Sequence, residues 1–172
     1  MADTTQFIAG AAFPSMTWAQ TDGGRLDPAG MRGWRLLVVY RGAHCPLCES
    51  YLGTLEGLLG EFRAAGIAVA AVSGNPKEKA EAKAAEQGWS FPVGYGMTVE
   101  EMRQLGLYVS TPRSPEETDR PFPEPAIFAI RPDGTVQIVD VSNAPFARPD
   151  LAALLKGLRF IQAKDYPVRG TA

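Results

Sequence analysis

Leu36-Leu37-Val38-Val39-Tyr40-Arg41-Gly42-Ala43-His44-Cys45-Pro46-Leu47-Cys48-Glu49 is the stretch whose reading sets the fold of this chain. Its apolar, β-branched run up to Tyr40 predicts a buried strand, which Arg41-Gly42 ends. Pro46 suits a first helical position, where its missing N–H would be unpaired anyway. Leu47, Tyr51, Leu52, Leu55, Leu58, Leu59 and Phe62 then recur at helical spacing, and Glu49, Glu56 and Glu61 take the wet face. Cys45 and Cys48, the only 2 cysteines of the chain, therefore stand three positions apart where a strand gives way to a helix.

Working outward, Gly66 closes that helix, and Ile67 to Val72 is a second strand whose unbroken apolar run predicts burial on both faces. Asn75-Pro76-Lys77-Glu78 supplies an N-cap, a first-turn proline and an acid for a helix that stops near Gly88. Phe91-Pro92-Val93 is a short strand, and Thr98-Val99-Glu100-Glu101 is a capping box opening a short helix that ends before Gly106. Ser110 to Pro125, with prolines at 112, 115, 121, 123 and 125, sustains neither period and reads as a long, stiffened loop suited to a lid or a partner contact. Ala126 to Ile130 and Thr135 to Val141 flank Arg131-Pro132-Asp133-Gly134, a hairpin turn. Leu151, Leu154, Leu155, Leu158 and Ile161 mark a last helix, and the tail after Lys164 reads as surface. Strands alternating with helices, then a hairpin and a closing helix, require an α/β fold with a mixed sheet and helices on both faces. No linker or internal repeat interrupts the order, so residues 1–172 are expected to form one domain.

With 45% hydrophobic and 21% charged residues and a formal charge of -2, the composition is that of an ordinary globular protein and lacks the basic excess of a nucleic-acid binder. No nucleic acid is expected as a partner. Met1 to Phe7 shows no basic region followed by an apolar stretch, and no segment reaches the roughly 18 apolar residues of a membrane span. A cytoplasmic location without membrane attachment is the expectation. In a reducing compartment a lone cysteine pair points to catalysis, redox sensing or a metal. A zinc site needs about four ligands, which 2 cysteines and the single His44 do not supply.

Two thiols at this spacing can open and close one disulfide. The attacking species is a thiolate, and a free cysteine near pKa ~8.5 is only slightly ionised at neutral pH. A helix N-terminus stabilises an anion by about 0.3 to 1 kcal/mol, whereas one pKa unit corresponds to about 1.4 kcal/mol. The helix alone falls short, so backbone N–H groups, Arg41 or a protonated His44 must supply the rest. Disulfide exchange uses one thiol to attack and the other to displace the mixed disulfide. Peroxide reduction uses the same pair through a sulfenic acid that the second thiol condenses. Neither route calls for a metal or an organic cofactor.

These segments together resemble the thioredoxin fold, and within it the peroxiredoxin-like group of alkyl hydroperoxide reductases and thiol-specific antioxidant proteins. The resemblance runs through Gly10-Ala11-Ala12-Phe13-Pro14, Tyr40 to Cys48, Val72-Ser73-Gly74, Phe91 to Gly96 and Arg131 to Gly134. It implies a central mixed sheet flanked by helices, with a peroxiredoxin-like strand-helix insertion. Against thioredoxins, Cys45 matches the nucleophile and Cys48 the resolving thiol. Against peroxiredoxins, whose motif ends in Thr-x-x-Cys, Cys48 matches the peroxide-attacking cysteine and Cys45 replaces the threonine. The arginine that peroxiredoxins carry before the late hairpin strand is replaced by Pro125, which resembles the cis-proline of disulfide oxidoreductases. Arg41, Arg113 and Arg120 are candidates for the missing charge.

The resemblance implies an antioxidant oxidoreductase acting on hydroperoxides or on protein or small-molecule disulfides, with an external thiol donor such as thioredoxin or glutathione. It also implies a homodimer, although no residue of the sequence carries one. The alternatives are a disulfide oxidoreductase without peroxidase activity, and a redox-sensing binding protein whose loop from Ser110 to Pro125 changes partner affinity.

Overall fold

The strand that leads to the cysteines is built as its sequence requires. In the computed structural model, which describes residues 6–172, Trp34–Val39 (here β3) buries every residue after Trp34. Part of the N-terminal stretch read for a leader, residues 1–5, lies outside the described residues. Leu36 and Val38 enter one hydrophobic cluster and Leu37 and Val39 the other, because successive strand side chains point to opposite faces. A strand with both faces covered must be apolar throughout, which explains its unbroken run. The exception is Arg35, buried at 2% exposure, whose guanidinium donates to the carbonyls of Pro28, Ala29, Gly33 and Arg131.

Two short strands precede it, β1 (Trp18–Gln20) and β2 (Arg25–Leu26), which the sequence reading did not anticipate. After it come α1 (Pro46–Ala64), β4 (Ile67–Val72), α2 (Lys77–Gln87), β5 (Val93–Tyr95) and α3 (Val99–Gln104). The chain continues through β6 (Val109–Ser110), β7 (Phe122–Pro123), β8 (Ala126–Ile130), β9 (Val136–Val141) and α4 (Leu151–Lys164). Seven strands form one mixed sheet in the order β2-β1-β5-β4-β3-β8-β9, with β3, β4 and β5 parallel and the other pairings antiparallel. This is the expected α/β architecture, with β3 and the cysteines near the sheet's centre.

Leu52, Leu55, Leu59 and Phe62 of α1 and Leu151, Leu155 and Leu158 of α4 cover one face. Phe13 and Met16 of the N-terminal segment, with Met102 and Leu105 around α3, cover the other. The capping box at Thr98 and Glu101 is present in both directions.

Three local expectations are corrected. Leu47 does not join the apolar face of α1; it is 48% exposed, because the buried stripe of the helix runs through Cys48, Leu52, Leu55, Leu59 and Phe62 and Leu47 falls beside it. Asn75 is not the N-cap of α2: Pro76 takes that position without a side-chain bond, and the Asn75 amide is used elsewhere. The loop from Ser110 to Pro125 is pinched at its base, where Ser110 pairs with Phe122 and Val109 with Pro123 in a two-stranded ribbon.

Candidate active site

The turn between β3 and α1 is fixed before any chemistry is considered. Gly42 adopts φ 140, and a Cβ there would stand 3.0 Å from two atoms of the Asn75 amide and 3.1 Å from His44 Nδ1. That close approach requires glycine. The released Asn75 side chain accepts from the Ala43 N–H at 2.7 Å, while its own backbone N–H donates to Ser73 Oγ at 3.2 Å. The turn is thereby tied to the end of β4.

Cys45 follows as the N-cap of α1, with extended backbone, and its Sγ accepts from the Cys48 N–H at 3.3 Å. Sulfur here does what a serine or aspartate oxygen does at most caps. An anion at that position meets both an unpaired amide and the positive end of the helix. Arg41 Nη1 approaches the same sulfur at 3.7 Å. The Cys45 thiol is held well below the ordinary cysteine range, first by the hydrogen bond from the Cys48 thiol, then by the Cys48 N–H and Arg41, against the opposing effect of burial. Cys48 is pushed far up, because it is the donor in that shared bond and because it is fully buried. The arrangement favours a thiolate at Cys45 beside a protonated Cys48.

Arg41 also faces acids. Its Nε lies 3.1 Å from Glu124 Oε2 and its Nη2 3.9 Å from Glu117 Oε1, and its guanidinium sits 4.8 Å from the Phe122 ring centroid. The Glu124 contact is an ion pair without hydrogen-bond alignment, since both atoms lack an aligned partner. Burial works against the charge of Arg41, but Cys45 and Glu124 more than restore it and raise its pKa.

The surroundings of His44 disfavour the cation that the sequence offered as an option. Burial, and then Arg41, lower its pKa, both ring nitrogens are buried without a partner, and the ring meets Phe122 edge-on at 4.6 Å. Pro125 is buried beside β8, but the described residues contain no cis peptide bond, so the likeness to a cis-proline does not hold. Its carbonyl accepts from the Ser142 N–H at 2.9 Å, a structural tie to the end of β9. Arg113 pairs with Glu117 and Arg120 with Asp119.

The residue that the sequence reading missed is Arg148. Its Nη1 donates to Cys48 Sγ at 3.5 Å, its Nε donates to the Pro145 carbonyl at 2.6 Å, and its guanidinium lies 4.3 Å from the Tyr51 ring centroid. Tyr51 in turn donates its hydroxyl proton to the Pro149 carbonyl at 2.6 Å. The available signal was positional: Arg148 stands just before Asp150, the N-cap of a helix that packs on α1.

A cleft of about 390 Å³ opens at Arg41 and is lined by it with Ser110, Thr111, Arg113, Glu117 and Phe122. A larger hollow of about 890 Å³ runs along edge strand β9 and the C-terminal tail; neither hollow is lined by a cysteine, but the smaller one is lined by Arg41, whose Nη1 reaches Cys45 Sγ, so the chemistry belongs with it. Among the described residues no cluster of three or more histidine, cysteine or acidic side chains could hold a metal ion, and no helix is long and apolar enough to cross a membrane.

Comparison with known proteins is consistent with this geometry. The AhpC/TSA family model matches residues 9–139. A Mycobacterium tuberculosis protein named "Putative peroxiredoxin" is 32% identical over 94 residues, which are 54% of this chain and 60% of the relative. The match thus spans about three-fifths of that relative's length. Among solved structures, a mutant of the peroxiredoxin 6 of Arenicola marina superposes with a TM-score of 0.76 at 23% identity, covering 92% of this chain and 75% of that one. The peroxidoxin BcpB of Mycobacterium tuberculosis does so with a TM-score of 0.75 at 19% identity, covering 91% and 99%. At such identities the structural likeness shows the fold.

Proposed function

Because this chain belongs to the AhpC/TSA family, we propose that it is a thiol peroxidase in which Cys45 reacts first and Cys48 resolves. The observation that carries the assignment is the asymmetry of the pair. Cys45 Sγ accepts from the Cys48 N–H and faces Arg41, whereas Cys48 is buried as the hydrogen-bond donor. The Cys45 thiolate attacks the terminal oxygen of a hydroperoxide and breaks the O–O bond. The alkoxide or hydroxide leaves and takes a proton from solvent, while the transferred oxygen keeps its own and Cys45 becomes a sulfenic acid. Cys48, deprotonated beside Arg148, attacks that sulfur and releases water, closing a Cys45–Cys48 disulfide. An external dithiol, or two monothiols, then reduces the disulfide by exchange and restores both thiols.

Both sulfurs are nearly buried, Cys45 at 2% exposure and Cys48 at 0%. A small hydroperoxide reaches such a sulfur more readily than a folded protein carrying its own disulfide. That favours peroxide as the oxidant. Disulfide exchange without peroxidase activity is the second reading, and the two-residue spacing of the thiols supports it.

Stopped-flow reaction with hydrogen peroxide, followed by mass spectrometry, separates these readings. Cys48→Ser is expected to react at the wild-type rate for one equivalent and accumulate a sulfenic acid on Cys45, while Cys45→Ser loses the fast phase. Wild-type thiols that react no faster than a free cysteine peptide would remove the peroxidase reading. Fast oxidation confined to Cys45→Ser would reverse the roles.

A further inference from the structure

Arg41 meets Cys45 Sγ at 3.7 Å, and this contact cannot hold the side chain in place by itself. Sulfur is a weak acceptor, and fixing a long side chain costs up to about 2 kcal/mol of rotamer entropy. The guanidinium must be held from elsewhere. Glu117 is a poor candidate, since both its oxygens accept from Arg113 and its distance to Arg41 is 3.9 Å.

Glu124 is built for the task. It is a 5% exposed carboxylate on the strand ribbon opposite the cysteines. Ser110 Oγ donates to its Oε1 at 2.6 Å, and its backbone N–H donates to the Tyr108 carbonyl at 2.8 Å. The remaining oxygen, Oε2, is buried with no partner other than Arg41 Nε at 3.1 Å. A buried carboxylate with one oxygen committed to a single guanidinium fixes that guanidinium, because losing the contact would leave an uncompensated buried charge.

We propose that Glu124, seated by Ser110, is a positioning residue that holds the Arg41 guanidinium against Cys45 Sγ, so that the β6–β7 ribbon sets the reactivity of the thiol pair. The inference rests on the reading of Cys45 as the attacking thiol. Its content is a sign. Glu124 is itself an anion, so acting directly on the sulfur it would disfavour the thiolate, and its removal would make Cys45 more acidic. Acting through Arg41, it favours the thiolate, and its removal makes Cys45 less acidic.

The charged and titratable groups that face Arg41 and Cys45 are His44 from the turn, Cys48 from α1, Glu117 with Arg113 from the loop, and Glu124 from the ribbon; Arg148 approaches from the α4 side, at Cys48. Cys48 is replaced by serine in every protein compared, and none of the others changes between the Glu124 variants and their parent.

The thiolate of Cys45 is titrated by its ultraviolet absorbance and by the pH dependence of its alkylation, in a Cys48→Ser background where it is the sole thiol and keeps a hydroxyl neighbour. Glu124→Gln is expected to raise the midpoint by roughly one pH unit, and Glu124→Asp, which keeps the charge but shortens the reach, to raise it by part of that. Adding Glu124→Gln to Arg41→Ala should raise it no further. A midpoint that falls or stays put in Glu124→Gln overturns the proposal, as does one that rises equally with and without Arg41. If Glu124→Gln does not fold, Ser110→Ala decides: a small rise upholds the proposal and no change overturns it. A parent thiol that titrates like a free cysteine overturns the reading of Cys45 beneath it, whereas a low parent midpoint that Glu124 does not move overturns only the role of Glu124.

Discussion

Each sulfur of the pair faces one guanidinium, and the two are held in opposite ways. Arg41, at Cys45, stands between two carboxylates, Glu124 and Glu117. Arg148, at Cys48, is held by a backbone carbonyl and the face of Tyr51, and among the described residues its recorded contacts include no carboxylate. If proximity of a cation chose the nucleophile, Cys48 with its less neutralised partner would be the thiolate. Burial and the bond donated to Cys45 outweigh Arg148 and push the Cys48 thiol up instead. In the proposed roles, the helix amide and the donor direction favour Cys45 as the first thiol. In the proposed cycle Arg148 acts one step later, when Cys48 must lose its proton to attack the oxidised Cys45.

Removing each arginine in turn should therefore strike different steps. Arg41→Ala is expected to raise the Cys45 midpoint by about one pH unit or more, since an opposite charge at this range is worth one to three units. Alkylation and peroxide reaction would then drop at neutral pH and recover at alkaline pH, because a depressed pKa keeps the thiolate present above it and the loss only shifts where ionisation occurs. Arg148→Ala should leave that first step intact and slow disulfide closure several-fold, read as a longer-lived sulfenic acid. Equal effects of both variants on the first step would erase the distinction.

A smaller effect tests how the two arginines are anchored. The Arg148 loop is tied to α1 by the Tyr51 hydroxyl at Pro149, and the Arg41 turn is tied to β4 by Asn75 at Ala43. Tyr51→Phe should cost about 1 kcal/mol, a fall in Tm of roughly 2 to 4 °C by thermal unfolding, and it should slow only disulfide closure. Asn75→Ala should cost a comparable amount but slow the first oxidation instead.

The backbone of this site was legible in sequence, and its electrostatics were not. The run into Tyr40, Pro46 at the first helical position and the Thr98 capping box are local signals, and local hydrogen bonds realise them. The α/β architecture and the family followed from the same segments. Asn75 was misread because an asparagine before a proline looks like a cap, whereas its amide serves a turn 32 positions away. Arg148 and Cys48 are 100 positions apart, and Arg41 and Glu124 meet across the sheet edge. Nothing in spacing or periodicity encodes pairs of that separation. Pro125 attracted attention by resemblance, while Glu124, its neighbour, holds the charged contact.

The smallest expected effect concerns His44, the chain's sole histidine and a neighbour of Cys45 in sequence. Its sequence position made it a candidate cation. In the fold its ring lies against Phe122, and burial, reinforced by Arg41, lowers its pKa and so disfavours the charged form. A neutral imidazole contributes no charge to the thiolate. His44→Asn is therefore expected to shift the Cys45 midpoint by less than about 0.3 pH unit, well under the effect of one opposing charge at this range. A rise comparable with that of Arg41→Ala would mean that a protonated imidazole, and not the guanidinium alone, holds the proton off Cys45, and the contrast between the two arginines would then have to be redrawn around three cations.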